Sequence, residues 1–337
     1  MSKRVVTFGE IMLRLSPEGF LRFTQADSFG AVYGGGEANT AVSLANFGYD
    51  ASFVTKLPEH EIGQAAVNSL RRFGVDTSGI IRGGDRVGIY YLEKGASQRP
   101  SKVIYDRAHS SIAEARACEF DWKKLLAGAE WFHITGITPA LGSELTQAAL
   151  DAVKTARELG ITVSCDINYR AKLWDKQTAG KVMSEICKYV DVYIGGRDQA
   201  ADLFGIEAVG TSDDDFEGYK DVARQLKERF GFSKAAITLR TTLSSSDNRF
   251  CALLYDGESA CFSRNYTMHL IDRVGGGDAF AAGLIYACME NMTCQQCVDF
   301  AAAASCLKHT VEGDCNLVSA DEVSLLAFGS GSAQVQR

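Results

Sequence analysis

The feature that most constrains this 337-residue chain is an alternation of short β-rich apolar runs with longer amphipathic stretches along most of its length. Runs at 5–9, 52–56, 131–135, 162–166, 190–195 and 235–240 read as strands, with their Val, Ile, Thr and aromatic content. Stretches at 38–47, 62–73, 143–159, 177–189, 215–230, 279–289 and 298–309 carry helical periodicity. Strands that run parallel need crossover connections, and amphipathic helices supply them while covering the sheet. The expectation is an α/β fold: a three-layer core with a parallel central sheet. In such folds ligands sit beyond the carboxyl ends of the strands, which directs attention to the loops that follow them.

Two segments, 11–36 and 87–107, break the alternation. They hold strand-like pieces at 12–15, 31–33, 88–92 and 102–105 with no helix between them. Surface hairpins would account for them. A small β-sheet that covers a site and excludes water accounts for them better. With 33 glycines, four prolines and no Pro-rich linker, residues 1–327 read as one domain carrying this lid, and 328–337 as a flexible tail.

Charge and cysteine usage narrow the partners. The 35 basic and 42 acidic residues give a net charge of −7 with no basic run, which argues against nucleic acid. There is no long uncharged apolar run, so no membrane span is expected, and the early charges at Lys3 and Arg4 do not suit a signal peptide. Ten scattered cysteines then read as free thiols of a cytoplasmic protein. Cys294 and Cys297 form a lone C-x-x-C at the start of an apparent helix, for which packing is the simpler role.

The most informative segment is Asp272-Arg273-Val274-Gly275-Gly276-Gly277-Asp278, followed by an Ala-rich helix. Successive backbone N–H groups of Gly275, Gly276 and Gly277 can converge on one anion, and a helix start adds donors and a positive dipole end. Asp278 could simply cap that helix. A cap does not need three glycines before it, and a carboxylate beside an anion hole is placed to take a hydroxyl proton. An earlier cluster, Gly34-Gly35-Gly36-Glu37-Ala38-Asn39, also opens a helix and fits neither a dinucleotide nor a P-loop fingerprint. Its glycines suit a tight turn, or else close approach of a polar ligand with Asn39 offering both donor and acceptor.

Together the two clusters resemble the paired signatures of the ribokinase-like sugar kinases, the phosphofructokinase-B family. The resemblance spans roughly residues 5–326. It implies a ribokinase-like, Rossmann-type core with a β-sheet lid, ATP as phosphoryl donor, Mg²⁺, and in many members a monovalent cation near the late glycines. It implies Asp278 as general base, Gly275, Gly276 and Gly277 as the anion hole, and Gly35 and Asn39 at the substrate. Arg240, Gly275, Gly277, Ser305 and His309 fall at the nucleotide, although His309 also reads as a packed residue.

Further stretches, 9–17, 165–174 and 307–314, are most similar to family members that phosphorylate keto-deoxy sugar acids such as 2-keto-3-deoxygluconate. Arg14 stands where kinases of neutral sugars usually carry Asp, and an arginine suits a carboxylate. Arg107, Arg170, Asn168, Tyr90 and Tyr105 match substrate-facing positions, and Tyr105 and Arg107 share a strand face. Each tyrosine could equally be a half-buried strand aromatic, and each arginine a solvated charge. Asp166 follows a strand and could be a structural acceptor. The expected partners are a small sugar acid and ATP, with a homo-oligomer as the assembly. Fructokinase-like activity and a sugar or nucleotide sensor are the alternatives.

Two stretches depart from the family. Gly196-Arg197-Asp198-Gln199 replaces the Asn-x-x-Glu that organises water around Mg²⁺ and phosphate, which puts metal use in question. The loop at 240–248 lacks the usual Thr-x-Gly-x-x-Gly.

Overall fold

The computed structural model describes residues 3–208 and 216–329. From the N-terminus, β1 (Arg4–Phe8) leads into β2 (Met12–Ser16) and β3 (Gly30–Gly34), then α1 (Gly36–Asn46), β4 (Asp50–Leu57), α2 (Glu61–Arg71) and β5 (Ile80–Arg82). The chain continues with β6 (Gly88–Glu93), β7 (Lys102–Asp106), the short α3 (Trp122–Leu125), β8 (Trp131–Thr135), α4 (Ser143–Glu158), β9 (Thr162–Asp166) and α5 (Lys176–Cys187). Next come β10 (Val192–Gly196), α6 (Arg197–Phe204), α7 (Phe216–Phe230), β11 (Lys234–Thr242), β12 (Asp247–Tyr255), β13 (Ala260–Phe262) and β14 (Tyr266–His269). Three helices close the described chain: α8 (Gly276–Met289), α9 (Cys294–Lys308) and α10 (Ala320–Phe328).

The main sheet has the order β13-β12-β11-β10-β9-β8-β1-β4-β5, and β14 pairs with β12. From β5 to β11 all neighbours are parallel, and the strands beyond β11 are antiparallel. The side-chain period of two divides each strand between the two faces. Val5 of β1 joins a core with α1, α2, α8, α9 and α10, while Val6 and Phe8 join one with α4, α5, α6 and α7. Helices on both faces are what a parallel sheet requires, and this is the expected three-layer α/β core.

The four strand-like pieces outside the alternation form one separate sheet of order β3-β2-β6-β7. They thus make a lid-like sheet rather than isolated hairpins. Tyr90 and Tyr105 are directly opposite on β6 and β7.

The differences from expectation lie mostly at element ends and one sheet edge. Helix α9 starts at Cys294, four residues before the apolar pattern does. Thr293 and Gln296 cap it reciprocally, the Thr293 hydroxyl accepting from the Gln296 N–H and Gln296 Oε1 accepting from the Thr293 N–H. Cys294 and Cys297 therefore sit in a helical first turn, and all ten cysteines are free thiols. The loop expected at 240–248 is largely a hairpin, β11 running on to Thr242 and β12 beginning at Asp247. Of the tail at 328–337, Phe328 ends α10. Residues 330–337 lie outside the described residues.

Candidate active site

A cleft of about 720 Å³ opens where the carboxyl ends of β9, β10 and β11 face the N-termini of α1 and α8, with β6 and β7 of the small sheet on one side. The Gly-rich clusters, more than 200 residues apart, meet here. Asn39 Nδ2 donates to Asp278 Oδ2 at 2.7 Å, across a separation of 239 residues. The Thr40 hydroxyl donates to the Asp278 carbonyl at 3.4 Å. Asn39 is 2% exposed and its Oδ1 accepts the Gly35 N–H at 3.3 Å. Its amide therefore buttresses Asp278 while Asn39 itself lines the cleft.

The glycines have different structural reasons. Gly275 caps α8 at φ 85°, a left-handed backbone that disfavours a side chain. A Cβ on Gly276 would lie 2.1 Å from the His309 ring, and one on Gly35 1.9 Å from the Glu10 carbonyl. A Cβ on Gly277 would meet nothing within 4 Å, since Gly277 faces the open cleft. Asp278 thus stands in the first turn of α8, where orphan N–H groups and the positive dipole end favour an anion. Burial raises its pKa to about 6, against the Asn39 hydrogen bond and the Arg170 and Lys308 charges, which lower it. At neutral pH it is a carboxylate ready to accept a proton.

Asp166, at the end of β9, is raised to about 7 by burial and then by the Asp278 charge. It also shapes the next turn, its Oδ1 accepting the Asn168 N–H at 3.1 Å where Asn168 has φ 37°. That turn carries Asn168 and Arg170 to the cleft wall. Arg170 is exposed there and makes no ion pair among the described residues. Tyr105, which also lines the cleft, is 39% exposed with its ring 6.1 Å from that of Tyr90, and the Arg107 guanidinium lies 5.1 Å from the Tyr105 ring. Arg107 is also tied to the buried Glu10, whose other oxygen accepts from the Ser110 hydroxyl at 3.2 Å.

Arg14 does not reach the cleft. It is 2% exposed, donating through Nη2 to Asp272 Oδ2 and through Nη1 to Asp314 Oδ1, both at 2.7 Å. Tyr90 donates to the other Asp314 oxygen. Arg14 on β2 and Tyr90 on β6 thus pin the small sheet to the core through an ion cluster, so the expectation that Arg14 binds substrate is overturned. The Tyr90 hydroxyl is likewise committed, although its ring lines the cleft.

Ser305 and His309 need the same correction as nucleotide contacts. Both are fully buried, with His309 Nδ1 at 2.6 Å from the Ser305 carbonyl and its ring packed beneath Gly276. Burial lowers the His309 pKa to about 4, so the ring is neutral. Arg240 does line the cleft, with Arg273 and Arg197. Loss of solvent and then the like charges of Arg273 and Arg170 pull the Arg240 pKa down. Arginines that repel one another around a cavity suit a polyanion. Arg197 stacks on Tyr219 at 4.7 Å and has a buried Nη1 with no partner. Gln199 accepts the Gly196 N–H at 3.0 Å and so closes the helix start in place of the family's acid.

Sequence reasoning missed Glu10 and Asp314, whose partners Arg107 and Arg14 lie 97 and 300 residues away, and the buried Lys308. No group of three or more acidic, His or Cys side chains able to cage a metal exists among the described residues. Asp198 and Asp166 do line the cleft, enough for Mg²⁺ that arrives on a nucleotide's phosphates. A monovalent cation beneath the late glycines does not fit. The Lys308 ammonium already lies there, donating to the Val311 carbonyl at 3.1 Å with its Cε 3.0 Å from a Cβ on Gly275.

Residues 2–321 match the pfkB family carbohydrate kinase model. The chain is 32% identical to a 2-dehydro-3-deoxygalactonokinase of Haloferax volcanii over 100% of both proteins. It is 27% identical to the 2-dehydro-3-deoxygluconokinase of Bacillus subtilis, covering 93% of this chain and 92% of that one. Its fold matches a crystal structure of 2-dehydro-3-deoxygluconokinase from Thermotoga maritima with a TM-score of 0.94 at 51% identity, covering 96% of this chain and 99% of the other. With its core, its small sheet and both glycine clusters accounted for, the chain belongs to the pfkB family of carbohydrate kinases and is a sugar kinase.

Proposed function

We propose that this sugar kinase transfers the γ-phosphoryl group of ATP to the terminal hydroxyl of 2-keto-3-deoxygluconate, giving the 6-phosphate and ADP. The observation that carries the reading is Asp278, a cleft carboxylate held by Asn39 at the start of α8 beside three glycines and an unpaired Arg170. The hydroxyl oxygen attacks the γ-phosphorus, the bond to the β-phosphate oxygen breaks, and the hydroxyl proton passes to Asp278. N–H groups of Gly275, Gly276 and Gly277 receive the charge of the transferred phosphoryl group. Mg²⁺ bound with the nucleotide would supply charge neutralisation, and Asp198 and Asp166, which line the cleft, would be the carboxylates to hold it. Arg240, Arg273 and Arg197 face the phosphates. Orientation and electrostatics carry most of the acceleration, because phosphoryl transfer leaves the protein little covalent work.

Arg170 and Arg107, both lining the cleft, are assigned to the sugar carboxylate, with Asn168 and Tyr105 along the hydroxylated chain. Two arginines in a substrate pocket suit an acid better than a neutral ketose. The relatives named for galactonate- and gluconate-derived acids differ in one hydroxyl configuration and share that carboxylate. The test is steady-state kinetics of Arg170→Ala. The loss in kcat/KM should be severe for a keto-deoxy acid and slight for fructose, whereas equal losses would remove the carboxylate assignment.

A further inference from the structure

Lys308 is fully buried on the last turn of α9, does not line the cleft, and has no part in the reaction as described so far. Its surroundings are ionic. Asp272, Asp314, Arg14 and the Cys315 thiol act on it electrostatically. At the rim, Lys94 pairs with Glu312 and approaches Asp272 Oδ2 to 4.0 Å. Arg14, Lys308 and Lys94 thus balance Asp272, Asp314 and Glu312, three charges against three.

This cluster is the floor of the Gly-rich loop. A Cβ on Gly275 would collide with the Asp314 carbonyl at 1.9 Å and touch Lys308 Cε at 3.0 Å, so the loop backbone rests directly on both residues. Asp272 Oδ1 accepts the Val274 N–H at 3.2 Å, and its Oδ2 accepts the Gly313 N–H at 3.1 Å. A buried ammonium costs several kcal/mol in desolvation; here burial lowers the Lys308 pKa, and the Asp272 and Asp314 charges with the Val311 carbonyl offset part of that cost.

We propose that Lys308 is a resident cation and a positioning residue for phosphoryl transfer, setting from beneath Gly275 the positive potential of the anion hole and the charge balance facing Asp278. This rests on the reading of Asp278 as general base. An enzyme that carries its own cation needs none from solution. The charge also reaches Asp278 directly, since Lys308 and Arg170 favour its ionised form while Asp314 and the neighbouring Asp166 disfavour it.

The test uses the full-length enzyme with Mg-ATP and 2-keto-3-deoxygluconate, and follows the acid limb of kcat/KM in three proteins. In the parent the limb lies near pH 6, and rates in K⁺, Na⁺ and tetramethylammonium salts agree within about twofold. In Lys308→Met, which keeps the side-chain length and removes the charge, the limb moves up by about one pH unit and kcat falls about 10–100-fold. In the double variant Lys308→Met with Asp314→Asn the cluster is neutral again, and the limb returns toward pH 6 even where the apolar stem alone has been disturbed. The double variant also decides the matter if the single one does not fold.

An unchanged limb in Lys308→Met would overturn the proposal. So would a shifted limb that the double variant fails to restore, because that pattern belongs to packing. A parent enzyme that requires K⁺ would overturn it as well. Asp278→Asn separates the two levels: if that variant retains turnover, the base assignment fails first. If it is inactive and Lys308→Met behaves as the parent, only the role of Lys308 fails.

Discussion

Replacing Arg14 with alanine separates a residue that holds the small sheet from one that binds substrate. The guanidinium makes two 2.7 Å charge-assisted hydrogen bonds to Asp272 and Asp314, and all three side chains are 3% exposed or less. Removing one member of a buried ion pair costs about 3–5 kcal/mol, chiefly because an uncompensated charge is left behind. Arg14→Ala leaves two such carboxylates, with Lys308 and Lys94 as the remaining cations, so the upper half of that range is expected. For a chain of this size about 2 °C of melting temperature corresponds to 1 kcal/mol, which predicts a loss of about 8 °C. The assay is thermal and urea denaturation of the purified variant, with KM for the sugar acid measured below the transition. KM should change by less than about threefold, since Arg14 has no path to the cleft. A stability loss under about 1 kcal/mol together with a tenfold rise in KM would refute the reasoning and restore Arg14 to the substrate.

Three other expectations follow from named contacts. Asp278→Asn should lower turnover by about 10²–10⁴-fold. It should also raise stability at pH 8, because a carboxyl whose pKa rises from 3.8 unfolded to about 6 folded opposes folding above pH 6 and no longer does so below 3.8. Melting curves of parent and variant should therefore diverge at pH 8 and converge by pH 4, and divergence at pH 4 alone would contradict the sign. Gly276→Ala should destabilise by about 1–3 kcal/mol through its collision with the His309 ring, while Gly277→Ala, facing open space, should unfold within about 1 kcal/mol of the parent. Equal denaturation midpoints for these two variants would show that the ring yields. Mg²⁺ titration of activity should track the ATP concentration with no tightly held metal surviving chelation, because the described residues provide no protein cage. Stoichiometric metal after dialysis against EDTA would count against this.

The layered core was legible because strand and helix periods differ and the chain keeps them apart. The runs at 131–135 and 162–166 coincide with β8 and β9 residue for residue. The small sheet was legible too, since four short strands without helices leave little else to build. The β11–β12 hairpin was not, because a Ser-rich turn and a nucleotide loop look alike before strand pairing is known. Asp278 stood out as a candidate base from its three preceding glycines, while its hydrogen bond with Asn39 needed the fold to bring the two together across 239 residues. Arg14 misled for a physical reason. An arginine's residue type is equally suited to a substrate carboxylate and to a buried Asp, and only the tertiary structure supplies Asp272 and Asp314, 258 and 300 residues away. Glu10 escaped notice on the same ground, its partner Arg107 lying 97 residues away, and Lys308 because nothing in its local sequence separates a buried charge from a solvated one.

The central claim is the acid-specific kinase reaction. Its most direct test is ADP release from Mg-ATP with 2-keto-3-deoxygluconate, 2-keto-3-deoxygalactonate, fructose and ribose at equal concentrations. The account predicts a kcat/KM for a keto-deoxy acid at least about 100-fold above that for either neutral sugar, the worth of a charge-assisted carboxylate contact at two arginines. Fructose or ribose turned over as efficiently as the acids would contradict it.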